Sequence, residues 1–138
     1  MKRCVVDASA LLRWFDDGPG AIRIEELVVQ AASGAMQISV SAVNWGEVYY
    51  VIARKHGERQ AESFSANFHN LPVHIVPADS PRAERAGIFR HKFSIPYADA
   101  FAASLAASER ATLVTSDYDF TRVADAVAVE FLPSGKKA

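Results

Sequence analysis

The sequence predicts an α/β domain, with a mostly parallel central sheet sandwiched by helices. Short apolar runs of strand length alternate with longer stretches of helical periodicity, the order that builds parallel sheets. Turn chemistry separates them at Asp16-Asp17-Gly18-Pro19-Gly20, Gly34, Gly57, Pro77 and Ser94-Ile95-Pro96. Two aspartates, Asp7 and Asp117, each follow directly on an apolar strand. In open α/β sheets the functional crevice lies beyond the carboxyl ends of the strands, so both would point into it.

The elements follow in order. Met1 to Val6 reads as a short strand, and Ser9 to Phe15 has helical character before the Asp16–Gly20 break. Ile22, Leu27, Val28 and Ala31 stripe a helix over Ala21 to Ala32, closed by Gly34 at a C-cap position. Gln37 to Val40 is a strand. Ser41 is placed to cap a helix reaching His56, with Gly57 closing it and Glu58 to Asn70 forming the next. Val73 to Val76 is a strand ended by Pro77. Ser80-Pro81 predicts a cap followed by a first-turn proline for a helix to about Phe93. Tyr97 to Glu109 is an alanine-rich helix, Thr112 to Thr115 a strand, and Asp117 or Asp119 the cap of a short helix toward Ala124. Ala128 to Leu132 is the last strand. The expected organisation is one domain over residues 1–133 and a polar tail over 134–138.

Composition narrows the class. Of 138 residues, half are hydrophobic and 22% charged, which supports a real core and excludes disorder. No apolar stretch reaches membrane-spanning length, and the start meets Asp7 too soon for a secretory signal, so a cytoplasmic location is expected. Cys4 is the single cysteine; it excludes an internal disulfide and thiolate metal sites, and its apolar neighbours make it a buried strand residue. A net charge of −1 gives no global attraction to nucleic acid, although Arg82, Arg85, Arg90, His91 and Lys92 cluster, as do Arg54, Lys55 and Arg59.

Chemistry concentrates in four short acidic motifs: Val5-Val6-Asp7-Ala8-Ser9, Asn44-Trp45-Gly46-Glu47, Tyr97-Ala98-Asp99-Ala100 and Thr115-Ser116-Asp117-Tyr118-Asp119. Each sets a carboxylate among apolar or small residues, where burial is expected, with no lysine or arginine beside it. An unpaired buried charge is costly. Asp7 and Asp117 end strands, whereas Glu47 and Asp99 are expected in early helical turns, where backbone N–H groups favour anions. Taken singly, Asp7 and Asp117 also fit ordinary helix caps, and Glu47 an exposed helix position. Together they repel: two like charges about 4 Å apart cost roughly 4 kcal/mol at an effective dielectric near 20. A divalent cation relieves that cost, and oxygen-only ligands select hard ions such as Mg²⁺ or Mn²⁺. Such an ion activates water and offsets charge on a phosphoryl oxygen, so the predicted substrate is a phosphodiester.

With these motifs in this order, the chain resembles the PIN domains, specifically the small VapC-type toxin ribonucleases of bacterial type II toxin–antitoxin (VapBC) pairs. The resemblance covers essentially the full length. Val5-Val6-Asp7-Ala8-Ser9-Ala10-Leu11 is similar to the family's opening strand, and Ser41 to Val48 to the segment carrying its glutamate. Ile95 to Ala100 and Leu113 to Phe120 are similar to its third and fourth motifs. The resemblance implies a PIN-like sheet of about five strands and Mg²⁺-dependent endonucleolytic cleavage of RNA by metal-activated water, with Mn²⁺ as a substitute. By position it assigns Asp7, Glu47, Asp99 and Asp117 as metal-binding catalytic carboxylates, and Asp119 as a further acidic position that binds the metal through water or caps the next helix. Ser9 and Thr115 would orient them by hydrogen bonds. It also implies a homodimer and a cognate VapB-type antitoxin. Trp14, Phe15, Tyr49 and Tyr50 are candidates to line a groove for either contact. Arg54, Arg82 and Arg85 are candidate RNA-binding side chains.

Other acid-bearing α/β folds fit less well. A receiver domain needs an acidic pair after its first strand and a later strand-end lysine, yet no lysine occurs between Lys92 and Lys136. A haloacid-dehalogenase-type phosphatase needs an aspartate where Ser9 stands. No glycine-rich phosphate loop is present, and His56, His69, His74 and His91 sit in no recognisable nucleophile pairing. A metal-dependent DNA nuclease and a catalytically silent PIN-type binding module remain as alternatives.

Overall fold

A computed structural model describes residues 1–134. Five strands, β1 (Lys2–Val6), β2 (Met36–Ser41), β3 (Val73–Val76), β4 (Thr112–Thr115) and β5 (Val129–Phe131), form one sheet in the order β3-β2-β1-β4-β5. Every pairing is parallel. The helices are α1 (Ala8–Phe15), α2 (Ala21–Ala32), α3 (Ala42–His56), α4 (Glu58–Phe68), α5 (Ser80–Phe93) and α6 (Tyr97–Glu109), with a 3-10 turn at Tyr118–Val123. The sequence-predicted α/β class and each of its elements are present. Parallel strands need crossover connections, and the chain supplies two helices for each of the first three. It builds outward from β1 through β2 to β3, then returns across α5 and α6 to place β4 on the other side of β1. The strand order therefore reverses between β1 and β4, which opens a crevice at their carboxyl ends.

Both sheet faces are buried, as parallel sheets require. Alternating side chains of β1 divide between two cores. Cys4 and Val6 join Leu11, Ile24, Leu27, Val48, Ile52 and Phe68 beneath α1–α4, while Val5 joins Ala86, Phe101, Leu105 and Leu113 beneath α5 and α6. Every residue of α6 from Ala100 to Ala106 is buried, and its alanines let the helix approach the sheet closely. Burial pushes the Cys4 thiol up to about 12, which leaves it protonated and inert. Arg23 on α2 ties the β5 edge through Glu130, at 2.7 and 3.1 Å.

Three local expectations change. Asp79, not Ser80, caps α5: its backbone is still extended, and its Oδ1 accepts the Arg82 N–H at 3.0 Å, so Ser80 is already helical. The aromatic groove expected from Trp14, Phe15, Tyr49 and Tyr50 is mostly consumed by packing. Trp14 and Phe15 meet Phe64 at ring-centroid distances of 6.4 and 5.1 Å, and Tyr49 packs on the same core, so only Tyr50 stays exposed. The tail expected over 134–138 lies, beyond Ser134, outside the described residues. Among the described residues no helix is long and apolar enough to cross a membrane.

Gly20 fixes the entry to α2. Its φ of +93° is strained for any L side chain, and an added Cβ would lie 2.8 Å from the Leu132 Cβ. Gly20→Ala is expected to cost about 2–3 kcal/mol, read as a lower urea midpoint with an unchanged slope.

Candidate active site

Asp7 leaves the end of β1 and caps α1, with Oδ1 accepting the Ala10 N–H at 2.9 Å. It is a cap and a member of the acidic group at once, because the strand end and the helix start are the same residue. Two hydroxyls complete its environment. Ser9 Oγ donates to Oδ1 at 2.8 Å and Thr115 Oγ1 to Oδ2 at 2.7 Å. The same hydroxyl oxygens accept the Ser116 and Asp117 backbone N–H groups, each at 3.0 Å. This network crosses from β1 to the segment after β4, so Asp7 is held by both strands of the switch point.

Asp117 follows β4 and caps the 3-10 turn, its Oδ1 accepting the Asp119 N–H at 2.9 Å. Asp99 stands in the first turn of α6. Glu47 lies in the second turn of α3, not the first, so the favourable helix-start field expected for it applies to Asp99 alone. A residue to which the sequence assigns no role couples these two helices. Asn44, 1% exposed, donates from Nδ2 to Glu47 Oε1 at 3.0 Å and to the Ala98 carbonyl at 3.1 Å. Its signal was a poor helix former buried three residues before Glu47, at the spacing that puts two side chains on one helix face.

The expected burial of every carboxylate does not hold. Asp7 is buried, Asp99 and Asp117 are half-buried, and Glu47 and Asp119 are exposed, because helix and turn positions at a crevice rim face water. Four of them nevertheless act on the fifth, Asp99. Asp99 is raised from 3.8 to about 6, first by burial and then by the negative charges of Asp117, Asp7, Glu47 and Asp119. Asp7 is likewise raised to about 6: burial outweighs its three hydrogen bonds, and Asp117 adds repulsion.

Among the described residues no cluster of three or more His, Cys, Asp or Glu side chains forms a ready-made metal site. The carboxylates make an open acidic basin, not a closed cage. That arrangement suits Mg²⁺, which keeps several waters and takes one or two carboxylates directly. The all-oxygen donor set and the mutual repulsion at Asp99 both fit such an ion.

A stability prediction follows with a definite sign. A carboxyl whose folded pKa is raised binds protons more tightly in the folded state. It stabilises the fold below about pH 4, and that contribution is lost as pH rises through about 6. Metal-free protein is expected to be less stable at pH 7.5 than at pH 4.5, with Asp7 contributing about 2 kcal/mol of the difference. Saturating Mg²⁺ at pH 7.5 should recover it. Urea denaturation at both pH values, with and without the ion, reads this directly.

Among the described residues none of the candidate RNA-binding arginines hydrogen-bonds or ion-pairs with these carboxylates. Arg82 is tied to Asp79 at 2.7 Å and, with Arg85, lines a cavity of about 10 Å³ beside Ser41 and Ser104. Arg54 lies over the Tyr50 ring, 5.7 Å from its centroid, in the last turn of α3. Two other arginines, Arg90 and Arg122, flank the loop leading into Asp99, donating to the Ile95 and Ser94 carbonyls at 3.0 and 2.8 Å. Arg90 was visible only as one member of a basic run, and nothing local in the sequence marks Arg122.

The fold and its acidic switch point define a class before any name does. The PIN domain family matches residues 4–126, and the chain belongs to that family. No curated protein sequence matches. Among solved structures, VapBC2 from Rickettsia felis, bound to a DNA fragment from its promoter, is 20% identical with a TM-score of 0.76, covering 95% of this chain and 99% of that one. DNA-bound VapBC from Salmonella typhimurium is 17% identical with a TM-score of 0.74, covering 95% and 98%. The sarcin-ricin-loop-cleaving toxin VapC20 from Mycobacterium tuberculosis is 19% identical with a TM-score of 0.72, covering 94% and 99%. At these identities the likeness is one of fold.

Proposed function

We propose that this chain is a metal-dependent endoribonuclease, the toxin of a type II toxin–antitoxin pair that a VapB-type antitoxin silences. One observation carries the catalytic part: four carboxylates, Asp7 and Asp117 after β1 and β4 together with Glu47 and Asp119, repel a fifth, Asp99, in the first turn of α6. In this reading Asp7, Asp99 and Asp117, with Glu47 and Asp119 at the rim, hold Mg²⁺ or Mn²⁺. The ion would supply water activation and charge compensation at the phosphate. The remaining work belongs to the protein. Ser9 and Thr115 fix the Asp7 carboxylate, and Asn44 aims Glu47 while holding the first turn of α6, which presents Asp99.

Hydrolysis adds water across one P–O bond, so one product keeps the phosphate and the other gains a hydroxyl. The full-length fold match to toxins solved as VapBC complexes supports an antitoxin partner; a homodimer and a cytoplasmic setting are further parts of the proposal. The test is cleavage of matched single-stranded RNA and DNA, with the product ends determined. RNA cut without 2′,3′-cyclic phosphate ends is the expected result. Preferential cutting of DNA, or cyclic phosphate ends, would overturn the reading.

A further inference from the structure

Beside the acidic basin lies a cleft of about 740 Å³ lined by Gly87, Arg90, His91, Ser94, Ile95, Pro96, Asp119 and Arg122. It falls within the roughly 300–1,000 Å³ typical of ligand clefts. Its chemistry is opposite in sign to the basin's. Arg90 comes from the last turn of α5 and Arg122 from the 3-10 turn, and each donates one N–H to a neighbouring carbonyl of the Ser94-Ile95 corner. The corner is locked in place: Ser94 is left-handed, with φ +54°, and Ile95 is buried. Neither arginine forms an ion pair among the described residues. Two guanidiniums, each anchored through one nitrogen, thus keep their other donors for a ligand in one cleft. Asp119, which also repels Asp99, marks the edge where this cleft runs into the basin.

We infer that Arg90 and Arg122 form a phosphate-binding subsite that holds the RNA backbone next to the scissile phosphodiester. The inference rests on the ribonuclease reading and adds the residues that place the strand. A guanidinium suits a phosphate because it offers paired donors in a planar fork. Positive charge is also what a polyanion needs to approach five carboxylates. The subsite therefore accounts for how a chain of net charge −1 holds its substrate locally.

The test uses the full chain carrying Asp99→Asn to prevent cutting, a fluorescent single-stranded RNA, and Mg²⁺ over a range of salt. Arg90→Gln and Arg122→Gln remove charge but keep a donor for the Ser94-Ile95 corner. Arg3→Gln, at the opposite end of β1, is the charge-loss control. The double variant is expected to bind about tenfold more weakly at moderate salt. Its slope of log affinity against log salt should fall by about 1.4, two contacts of roughly 0.7 each. In the otherwise wild-type chain the pair should raise KM and leave kcat within about twofold. An unchanged slope, or a loss equal to that of Arg3→Gln, overturns the subsite. So does RNA affinity that stays intact while binding of an acidic peptide is lost, which would assign the cleft to a protein partner. If the wild-type chain cuts no RNA but binds it with an arginine-dependent slope, the nuclease reading fails and the subsite stands.

Discussion

Asp99→Asn should abolish RNA cleavage, by about 10³-fold or more, and at the same time stabilise the metal-free fold at pH 7.5. Both effects come from one carboxylate. Asp99 is half-buried in the first turn of α6 and is repelled by Asp117, Asp7, Glu47 and Asp119. An asparagine keeps its shape and removes the charge against which the other four are stacked. The gain should be about 1 kcal/mol, reduced from what the raised pKa alone implies because the side chain is partly solvated. Loss of a negative ligand removes charge from the transition state's cation site, where single groups are worth several kcal/mol. Single-turnover rates at saturating Mg²⁺ and urea midpoints without metal measure the two effects. A variant that is inactive but also destabilised would show that Asp99 serves the fold instead. Asp7→Asn should behave differently. Ser9, Thr115 and Ala10 all donate to that carboxylate, so an amide NH₂ placed there would face donors, and stability should fall together with activity.

Thr115→Val should cost about 2–4 kcal/mol despite its nearly equal volume. Thr115 is fully buried; its hydroxyl donates to Asp7 Oδ2 at 2.7 Å and accepts the Asp117 N–H at 3.0 Å. A methyl group leaves a buried carboxylate short of a charge-assisted bond and a backbone donor unpaired. Metal affinity should fall by about 10–100-fold, as for other groups that orient ligands. Ser9→Ala should do less, because Ser9 is only half-buried and water can replace its hydroxyl. The double variant should lose less than the sum of the two, since both hydroxyls serve one carboxylate. Chemical denaturation and Mn²⁺ titration of the four proteins test the pattern. Equal stability of Thr115→Val and the parent would contradict it.

Strand and helix periods were strong in this sequence, and its breaks were chemically explicit, so element order and α/β class could be read directly. Asp7 and Asp117 were legible because a carboxylate that ends an apolar strand must cap the next helix, hold a ligand or do both. The cap of α5 was misplaced because Asp79 and Ser80 are adjacent and both accept hydrogen bonds; only the backbone angles separate them. The burial expected for Glu47 does not hold because apolar neighbours in a helix face a different side from the residue between them. Of the aromatic side chains expected to line a partner groove, Trp14 and Phe15 pack on Phe64, which α4 brings between α1 and α3, whereas Tyr50 stays exposed. The arginine pair depends on residues 32 apart meeting at one corner, a contact no local pattern encodes.

The most direct measurement is the integrity of a defined RNA pool incubated with the purified chain, freed of any partner, in Mg²⁺ or Mn²⁺ and in EDTA. Discrete cuts that appear with the ion, vanish with EDTA and are absent for Asp99→Asn are the predicted result. Intact RNA in every lane from a demonstrably folded protein, or cutting that persists in EDTA, would contradict a metal-dependent ribonuclease.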